Sequence, residues 1–436
     1  MTRIRHATHD IFRSFDIRNF RLFFGGQLVS QVGNWLTLVA QTLLVLKLTD
    51  SGYALGALAA AQFGPILLIG AFAGLVADRS DKRRLLMIVQ ALAMVQSLSL
   101  AILGFMDRPP LLAIYVVAVF SGIATAFDNP ARRSFVVELV PEERIPNAVS
   151  LNSALMTSSR IIGPALAGLL VTTVGFGWCF LLDAISYVPV ILAFWRMNPA
   201  ELRQAPVTPK GRGQVREGLR YARSIPELWV PLLMMTIIGT LAFNFQTVLP
   251  LFATRDLQGN DVTFTWLLSI VSLGSLMAAL AAARRTTIDV RTVSRNAIIF
   301  GIGMTLLTFA PNQPAAFVTG FLVGFGSIMF MTAATAITQL AANPSMRGRV
   351  LALQAIVFLG STPIGGPILG AISETFGARY GIAVGAAATL VAGGFGLFTV
   401  RRSREVVVEE VEPIPFRPDA PGDLTGLDTV LTPKAS

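Results

Sequence analysis

Charged residues are scarce in this chain. Asp, Glu, Lys and Arg make up 14% of its 436 residues, whereas 53% are apolar and the mean hydropathy is +0.64. Soluble domains usually carry about 25% charged residues. The composition therefore excludes an ordinary soluble domain and indicates a protein that lies within a membrane.

Residues that bind metals or act as nucleophiles are also few. The chain has one cysteine, Cys179, and two histidines, His6 and His9, both near the amino terminus. A single cysteine excludes a disulfide within the chain. A G-x-x-x-x-G-K-[ST] loop for ATP phosphates is absent as well. We therefore predict no metal site, no cofactor and no enzymatic activity.

The net charge of +10 raises the question of nucleic-acid binding. The excess of Lys and Arg lies in short segments beside apolar ones, where anionic lipid headgroups supply the counter-charge. We therefore predict contact with membrane lipids and none with nucleic acid. The first 20 residues are polar and basic, so we expect no cleavable signal peptide.

Twelve long apolar segments dominate the chain. Crossing about 30 Å of hydrocarbon takes roughly 20 helical residues, and these runs are continuous, which favours helices over a β-barrel. We predict an all-α polytopic protein of twelve transmembrane helices arranged as two six-helix bundles. The spans lie near 22–47, 54–77, 85–105, 110–127, 147–174, 176–195, 229–253, 264–283, 296–310, 314–341, 349–374 and 379–400. The ninth is the shortest.

Most Lys and Arg residues fall in alternate connections between these segments. Cytoplasmic loops of membrane proteins carry the excess of positive charge, so the alternation predicts an even number of spans with both termini in the cytoplasm. We expect a multi-pass protein of the bacterial inner membrane. The basic connections are the amino-terminal tail, 78–84, 128–146, 196–228, 284–295, 342–349 and 401–404.

The two halves of the chain resemble each other at an offset of 203 residues. Gly163-Pro164 in the fifth span matches Gly366-Pro367 in the eleventh. Parallel repeats of this kind are typical of transporters whose substrate site lies between the halves. The predicted units are an N-terminal tail (1–21), two bundles (22–195 and 229–400), a linker with a basic amphipathic helix (196–228) and a disordered tail (401–436).

The segment from Gly74 to Arg84 resembles the signature loop of the major facilitator superfamily, G-x-L-a-D-r-x-g-r-[KR]-[KR], although Asp81 stands where glycine is usual. The resemblance implies a latch in which Asp78 meets the positive amino-terminal end of the eleventh helix. The latch holds the cytoplasmic ends together when the cavity faces outward. Its predicted residues are Gly74, Asp78, Arg79, Lys82 and Arg83. An ordinary basic inner loop is the alternative.

The fifth span is similar to the Gly-Pro-x-x-Gly element of efflux members of the superfamily, here Gly163, Pro164 and Gly168. Small residues and a proline let such a helix bend or pack closely; a generic kinked helix is the alternative. Together with broader likeness over residues 10–402, this resembles the branch of enterobactin exporters and macrolide efflux pumps. That branch implies a monomeric, proton-driven exporter of amphipathic drugs or siderophores that works by alternating access. An uptake symporter or lipid flippase would share the fold.

Neutral polar residues follow one face of several spans. Polar side chains inside a membrane are costly and mark functional positions, although interhelical hydrogen bonding is the alternative. We predict a substrate cavity between spans one, four, seven and ten. Its residues are Gln27, Gln31, Asn34, Trp35, Gln41, Ser121, Thr125, Thr236, Thr240, Asn244, Thr247, Thr332, Thr335 and Gln339.

Three ionisable residues lie within or beside the spans. Asp183 and Asp128 are candidates for the proton-coupling carboxylate, because an antiporter needs a titratable group in the membrane. Arg160 is predicted to be the one cation deep inside a span. It differs from Asp183 in depth by about 10 Å, so we expect it to meet Asp128, a helix carbonyl or an anionic substrate instead.

Overall fold

A computed structural model describes residues 13–203, 214–282 and 288–399. The described chain is almost entirely helical and contains no β-strand. The predicted disordered tail (401–436), the first part of the N-terminal tail and the centre of the linker lie outside the described residues.

Fifteen α-helices are present in the described residues. The first six are α1 (Arg18–Thr49), α2 (Gly52–Arg79), α3 (Lys82–Gly104), α4 (Leu111–Glu138), α5 (Ile145–Thr173) and α6 (Phe176–Arg196). The linker contributes α7 (Gln214–Arg223). The second half comprises α8 (Pro226–Leu241), α9 (Phe245–Leu251), α10 (Asp261–Ala282), α11 (Val290–Thr308), α12 (Gln313–Leu340), α13 (Pro344–Leu359), α14 (Thr362–Phe376) and α15 (Ala378–Thr399).

Eleven segments of the described chain are long and apolar enough to cross a membrane, two of them formed by helix pairs (Pro226–Asp256 and Arg349–Phe376). The all-α, membrane-spanning fold is thereby confirmed. The ninth predicted span, α11, falls below the hydropathy of the others, since Arg291 and Arg295 occupy its first turns. It nevertheless packs between α12 and α15, which completes the second set of six.

The seventh and eleventh spans are interrupted rather than continuous. The seventh breaks at Ala242–Asn244, between α8 and α9, and the eleventh at Gly360 and Ser361, between α13 and α14. A side chain at Gly365 would collide with the carbonyl oxygen of Thr240. The two interrupted spans therefore pack backbone against backbone beside the break in the seventh.

The two halves meet where α1 ends and α2 begins. We name this the outer end, following the orientation predicted from the basic loops. Here Gly52 and Gly56 of α2 lie against Gly370 and Pro367 of α14, and Gly168 of α5 lies against Thr265 of α10. Both α5 and α14 run through their prolines without a break in the helix. The absence of side chains at these glycines lets the halves approach closely.

Candidate substrate cavity

A cavity of about 150 Å³ lies within the first half, enclosed by α1, α3, α4, α5 and α6. Five of the predicted residues line it: Gln31, Asn34, Trp35, Ser121 and Thr125. Its remaining wall is formed by Ser30, Leu38, Val89, Gln90, Ala93, Gln96, Ala124, Asp128, Asn129, Arg132, Met156 and Tyr187. Polar groups from four helices, α1, α3, α4 and α6, thus converge on one space.

Asp128 and Arg132 form a buried ion pair on this wall. Asp128 also accepts a hydrogen bond of 2.8 Å from Nε2 of Gln90. With its amide oxygen turned toward Arg132, Gln31 accepts from the guanidinium. Nε of Arg132 is buried and has no partner. Arg132 therefore keeps one unused donor beside a carboxylate that is already bound.

The prediction of a loop over 128–146 was wrong for its first part, because α4 continues to Glu138. Asp128 and Arg132 stand four residues apart, so they face each other on one side of the helix. Their charges neutralise each other, which permits the helix to extend past the apolar run. Arg132 is thus a buried cation inside a helix, so Arg160 is not the only cation deep in the helical segments.

Arg160 does not meet Asp128, since that carboxylate belongs to Arg132. Its guanidinium instead lies over the ring of Trp35, with 5.4 Å between the guanidinium carbon and the ring centroid. The residue is exposed although it lies near the middle of α5. Asp128 was one of three partners that the sequence left open for Arg160, and it is taken because Arg132, predicted to lie in a loop, stands on the same helix.

Asp183 lies at the junction of α1, α3 and α6, outside the residues that line the cavity. Its Oδ2 accepts hydrogen bonds of 2.7 Å from both Thr37 and Ser97. The carboxylate is buried and no Lys or Arg of the described chain pairs with it. A side chain at Gly33 would collide with it. Hydroxyl groups alone therefore satisfy this acid.

The other predicted residues of α1 have structural partners. Gln41 accepts a hydrogen bond of 2.9 Å from Gln62 of α2 and donates to the carbonyl of Ile114 in α4 at 3.3 Å. Gln27 is buried beside Gln31. These two side chains belong to contacts between and along helices rather than to the wall of the cavity.

Polar residues of the seventh span run toward the break between α8 and α9. Thr236 and Thr240 donate to carbonyls of their own helix, and Asn244 donates to the carbonyl of Thr240 at 2.8 Å. Oδ1 of Asn244 is buried without a partner, and Thr247 is buried next to Gly366. The break therefore places an unused polar atom, Oδ1 of Asn244, within the seventh span.

In the tenth span, α12, Thr335 accepts a hydrogen bond of 2.6 Å from Gln354 of α13. Gln354 in turn accepts from Thr338 at 2.9 Å. Thr332 and Gln339 are exposed. The tenth and eleventh spans are thus joined by a polar contact of Thr335, a residue that the sequence pattern predicted to line the substrate cavity.

Several residues of the cavity and of the interhelical contacts were not predicted from the sequence, namely Gln62, Gln90, Gln96, Arg132, Tyr187 and Gln354. Arg132 could have been found from its spacing of four residues from Asp128. The glutamines on α2 and α3 stand alone in apolar runs, so no stripe marked them.

The predicted latch residues Lys82 and Arg83 make their contacts within the first half. Lys82 forms an ion pair of 2.6 Å with Glu138 at the end of α4. Arg83 donates to the carbonyls of Phe194 and Trp195 in α6, at 2.6 and 2.9 Å. These contacts join the inner ends of α3, α4 and α6 into one unit.

A second, larger crevice of about 560 Å³ lies between the halves at the outer end. It is lined by Lys47, Asp50, Asp261 and five neighbours. Lys47 lies over the ring of Phe176, 5.3 Å from its centroid. The smaller cavity is the candidate for the substrate site, because its buried polar groups lie farther from the ends of the helices.

Two sets of six helices, two interrupted spans and a polar cavity define a membrane transporter of the major facilitator type. The family model described as "transmembrane secretion effector" matches residues 10–417. The chain belongs to this family of the superfamily, and the efflux branch indicated by the sequence motifs is confirmed. Its members are transporters, not enzymes.

Curated relatives are bacterial transporters of similar length. The staphyloferrin A transporter of Staphylococcus aureus is 24% identical over 82% of this chain and 90% of its own. The multidrug efflux pump Tap of Mycolicibacterium fortuitum is 27% identical over 80% and 88%. Macrolide efflux protein A of Streptococcus pyogenes is 24% identical over 79% and 87%.

Solved structures show the same fold at lower identity. A bacterial homologue of the human lysosomal transporter Spinster, inward-facing and unoccupied, matches with a TM-score of 0.70 at 14% identity, over 88% of this chain and 96% of that one. A POT family transporter matches with a TM-score of 0.73 at 12% identity, with the same coverage.

Proposed function

We propose that this chain is a proton-driven exporter of amphipathic small molecules, of the drug or siderophore class, that works by alternating access. The observation that carries the proposal is the polar cavity beside Asp128 and Arg132 in a chain whose relatives include siderophore, macrolide and multidrug transporters. The relatives' substrates span both classes, which fits a cavity with few polar groups and several apolar ones.

The packing of the halves supports alternating access. Their outer ends are held by the ion pair of Arg255 with Asp50 and by the hydrogen bond that Glu374 accepts from the backbone nitrogen of Gly52. At the inner end, the contacts of Lys82 and Arg83 stay within the first half. We infer that breaking the outer contact and forming one between Asp78 and the eleventh span reorients the cavity, with Gly163, Pro164, Gly366 and Pro367 at the moving interfaces.

Asp183 is our first choice for the proton-coupling group. It is a buried carboxylate within α6 that has no cationic partner in the described chain. Asp128 is less suited because it already forms an ion pair with Arg132. Proton and substrate would then occupy separate sites on opposite sides of α1. We further propose a monomer in the bacterial inner membrane with both termini in the cytoplasm.

Transport into inverted membrane vesicles tests the proposal. A fluorescent amphipathic dye should accumulate in vesicles that contain the protein when respiration acidifies the vesicle interior, because protons then leave the vesicle as the dye enters. Collapse of the gradient with a protonophore should stop accumulation. Equal uptake with and without the protein, over a panel of anionic, neutral and cationic dyes, would contradict the exporter function.

A further inference from the structure

Arg160 occupies an unusual position for an arginine. Thirteen residues separate it from the end of α5 at Thr173, which places it about 20 Å below the outer end. A charged side chain at this depth is costly in lipid and normally faces a partner or a water-filled space. Arg160 is exposed and lies over the ring of Trp35 of α1, which lines the cavity, so it lies on the side of α5 that faces α1.

No carboxylate of the described chain compensates this charge. Arg160 forms no ion pair there. Asp128 forms an ion pair with Arg132. Asp183 is buried on the other side of α1, where it accepts hydrogen bonds from hydroxyl groups. The interior thus contains a guanidinium with five donors and no acid to accept from them.

Arg160 belongs to a polar face that runs along α5. Ser153 and Thr157 precede it at helical spacing, and both donate to carbonyls of their own helix, at 2.8 and 2.9 Å. Trp35 adds a large apolar surface on the facing helix. The neighbouring cavity contributes a second guanidinium, Arg132, whose Nε has no partner.

We propose that Arg160 binds a carboxylate group of the substrate and that Trp35 packs against the substrate's apolar body. This inference rests on the proposed function and narrows it to amphipathic anions. A guanidinium matches the two oxygens of a carboxylate with parallel hydrogen bonds. The same charge disfavours amines, so cationic drugs are poor substrates. Neutral molecules bind through Trp35 alone.

Binding to the purified protein in lipid nanodiscs tests this without requiring transport. The probes are dansyl-phenylalanine and its methyl ester, which differ only in the charged group, and fluorescence anisotropy reports binding. Wild-type protein should bind the carboxylate at least tenfold more tightly than the ester. Arg160→Gln should lose that preference while its affinity for the ester changes less than twofold.

Two further variants separate charge from structure. Arg160→Lys keeps the charge and should retain part of the preference, although it loses the paired hydrogen bonds. Arg220→Gln, an exposed position on α7, removes a cation elsewhere and should bind both probes like wild type.

Three outcomes would overturn the assignment. They are equal affinity of wild-type protein for the carboxylate and the ester, an unchanged preference for the carboxylate in Arg160→Gln, and an equal loss of affinity for both probes in that variant. Failure of the vesicle assay with every dye would instead count against the exporter function. A cationic probe bound more tightly than the carboxylate would contradict this inference and leave that function standing.

Discussion

Glu374, near the end of α14, accepts a hydrogen bond of 2.6 Å from the backbone nitrogen of Gly52, the first residue of α2. The same carboxylate lies 3.2 Å from Arg255, which also contacts Asp50. One acidic side chain thus joins the two halves of the transporter at their outer ends, and it complements the positive end of α2.

Replacing this acid should loosen the outer end. Glu374→Gln removes the charge from both contacts, which are partly exposed, so we expect a loss of about 1 kcal/mol and roughly a fivefold shift toward the outward-open arrangement. Pulsed electron-resonance distances between labels on the outer ends of α1 and α10 would measure it. An unchanged distance distribution would show that Glu374 does not hold the halves together.

Substitution of a glycine at the same interface should also weaken closure of the outer end. A methyl group at Gly370 would collide with the carbonyl oxygen of Gly52, a backbone atom that cannot move aside. We expect Gly370→Ala to weaken closure by about 1–3 kcal/mol, as overpacking does elsewhere. Gly64→Ala in α2 is the matched control, because nothing lies within 4 Å of the added atom. Equal behaviour of the two variants in the distance measurement would refute the argument.

Asp183→Asn should remove the dependence of transport on the proton gradient. The amide keeps the size of the side chain and can still accept from Thr37 and Ser97, but it cannot carry a proton in exchange for substrate. Dye accumulation at a range of imposed pH gradients measures the effect, with the exposed Glu143→Gln as control. If the response to the gradient persists in Asp183→Asn, another group couples the proton.

Asp78→Asn should cripple transport while leaving insertion and folding intact. The loss of charge removes the attraction to the amino-terminal end of the eleventh span, a contact that we infer from the family motif. Comparing transport rates at equal protein levels in vesicles tests this, and Asp107→Asn on an exposed outer segment is the control. Wild-type rates in Asp78→Asn would remove the residue from the latch.

The Asp128–Arg132 pair should matter for stability as well as for the cavity. Arg132→Gln leaves a buried carboxylate without its cation, so we expect a loss of about 3–5 kcal/mol. Adding Asp128→Asn should recover part of it. Thermal unfolding of the two single variants and of the double variant in detergent gives the comparison. A double variant as unstable as the sum of the single ones would show that the pair is not coupled.

The fold could be predicted from the sequence because hydrophobic length and loop charge follow directly from the membrane. Ending each predicted span at the first charged residue gave a wrong boundary where a charge lies inside a helix. The fourth span was predicted to end before Asp128, but α4 continues past Arg132 because the two charges neutralise each other. The ninth span was shortened for the same reason by Arg291 and Arg295.

The partners of the polar side chains on each helix were less predictable than the helices themselves. Gln31 and Gln41 lie on one stripe of α1, yet Gln31 lines the cavity whereas Gln41 binds Gln62 and Ile114. Which polar residue meets a neighbouring helix depends on the packing of all the spans, and a stripe on one helix carries no information about its neighbours.

The only thiol of the chain, Cys179, is fully buried in α6. Reagents that attach spin labels or dyes react with accessible thiols, so the natural protein already serves as a silent background. Cysteines introduced in pairs at the outer or inner rim would be the sole reactive sites, and the motions inferred above can be followed without first engineering a thiol-free version.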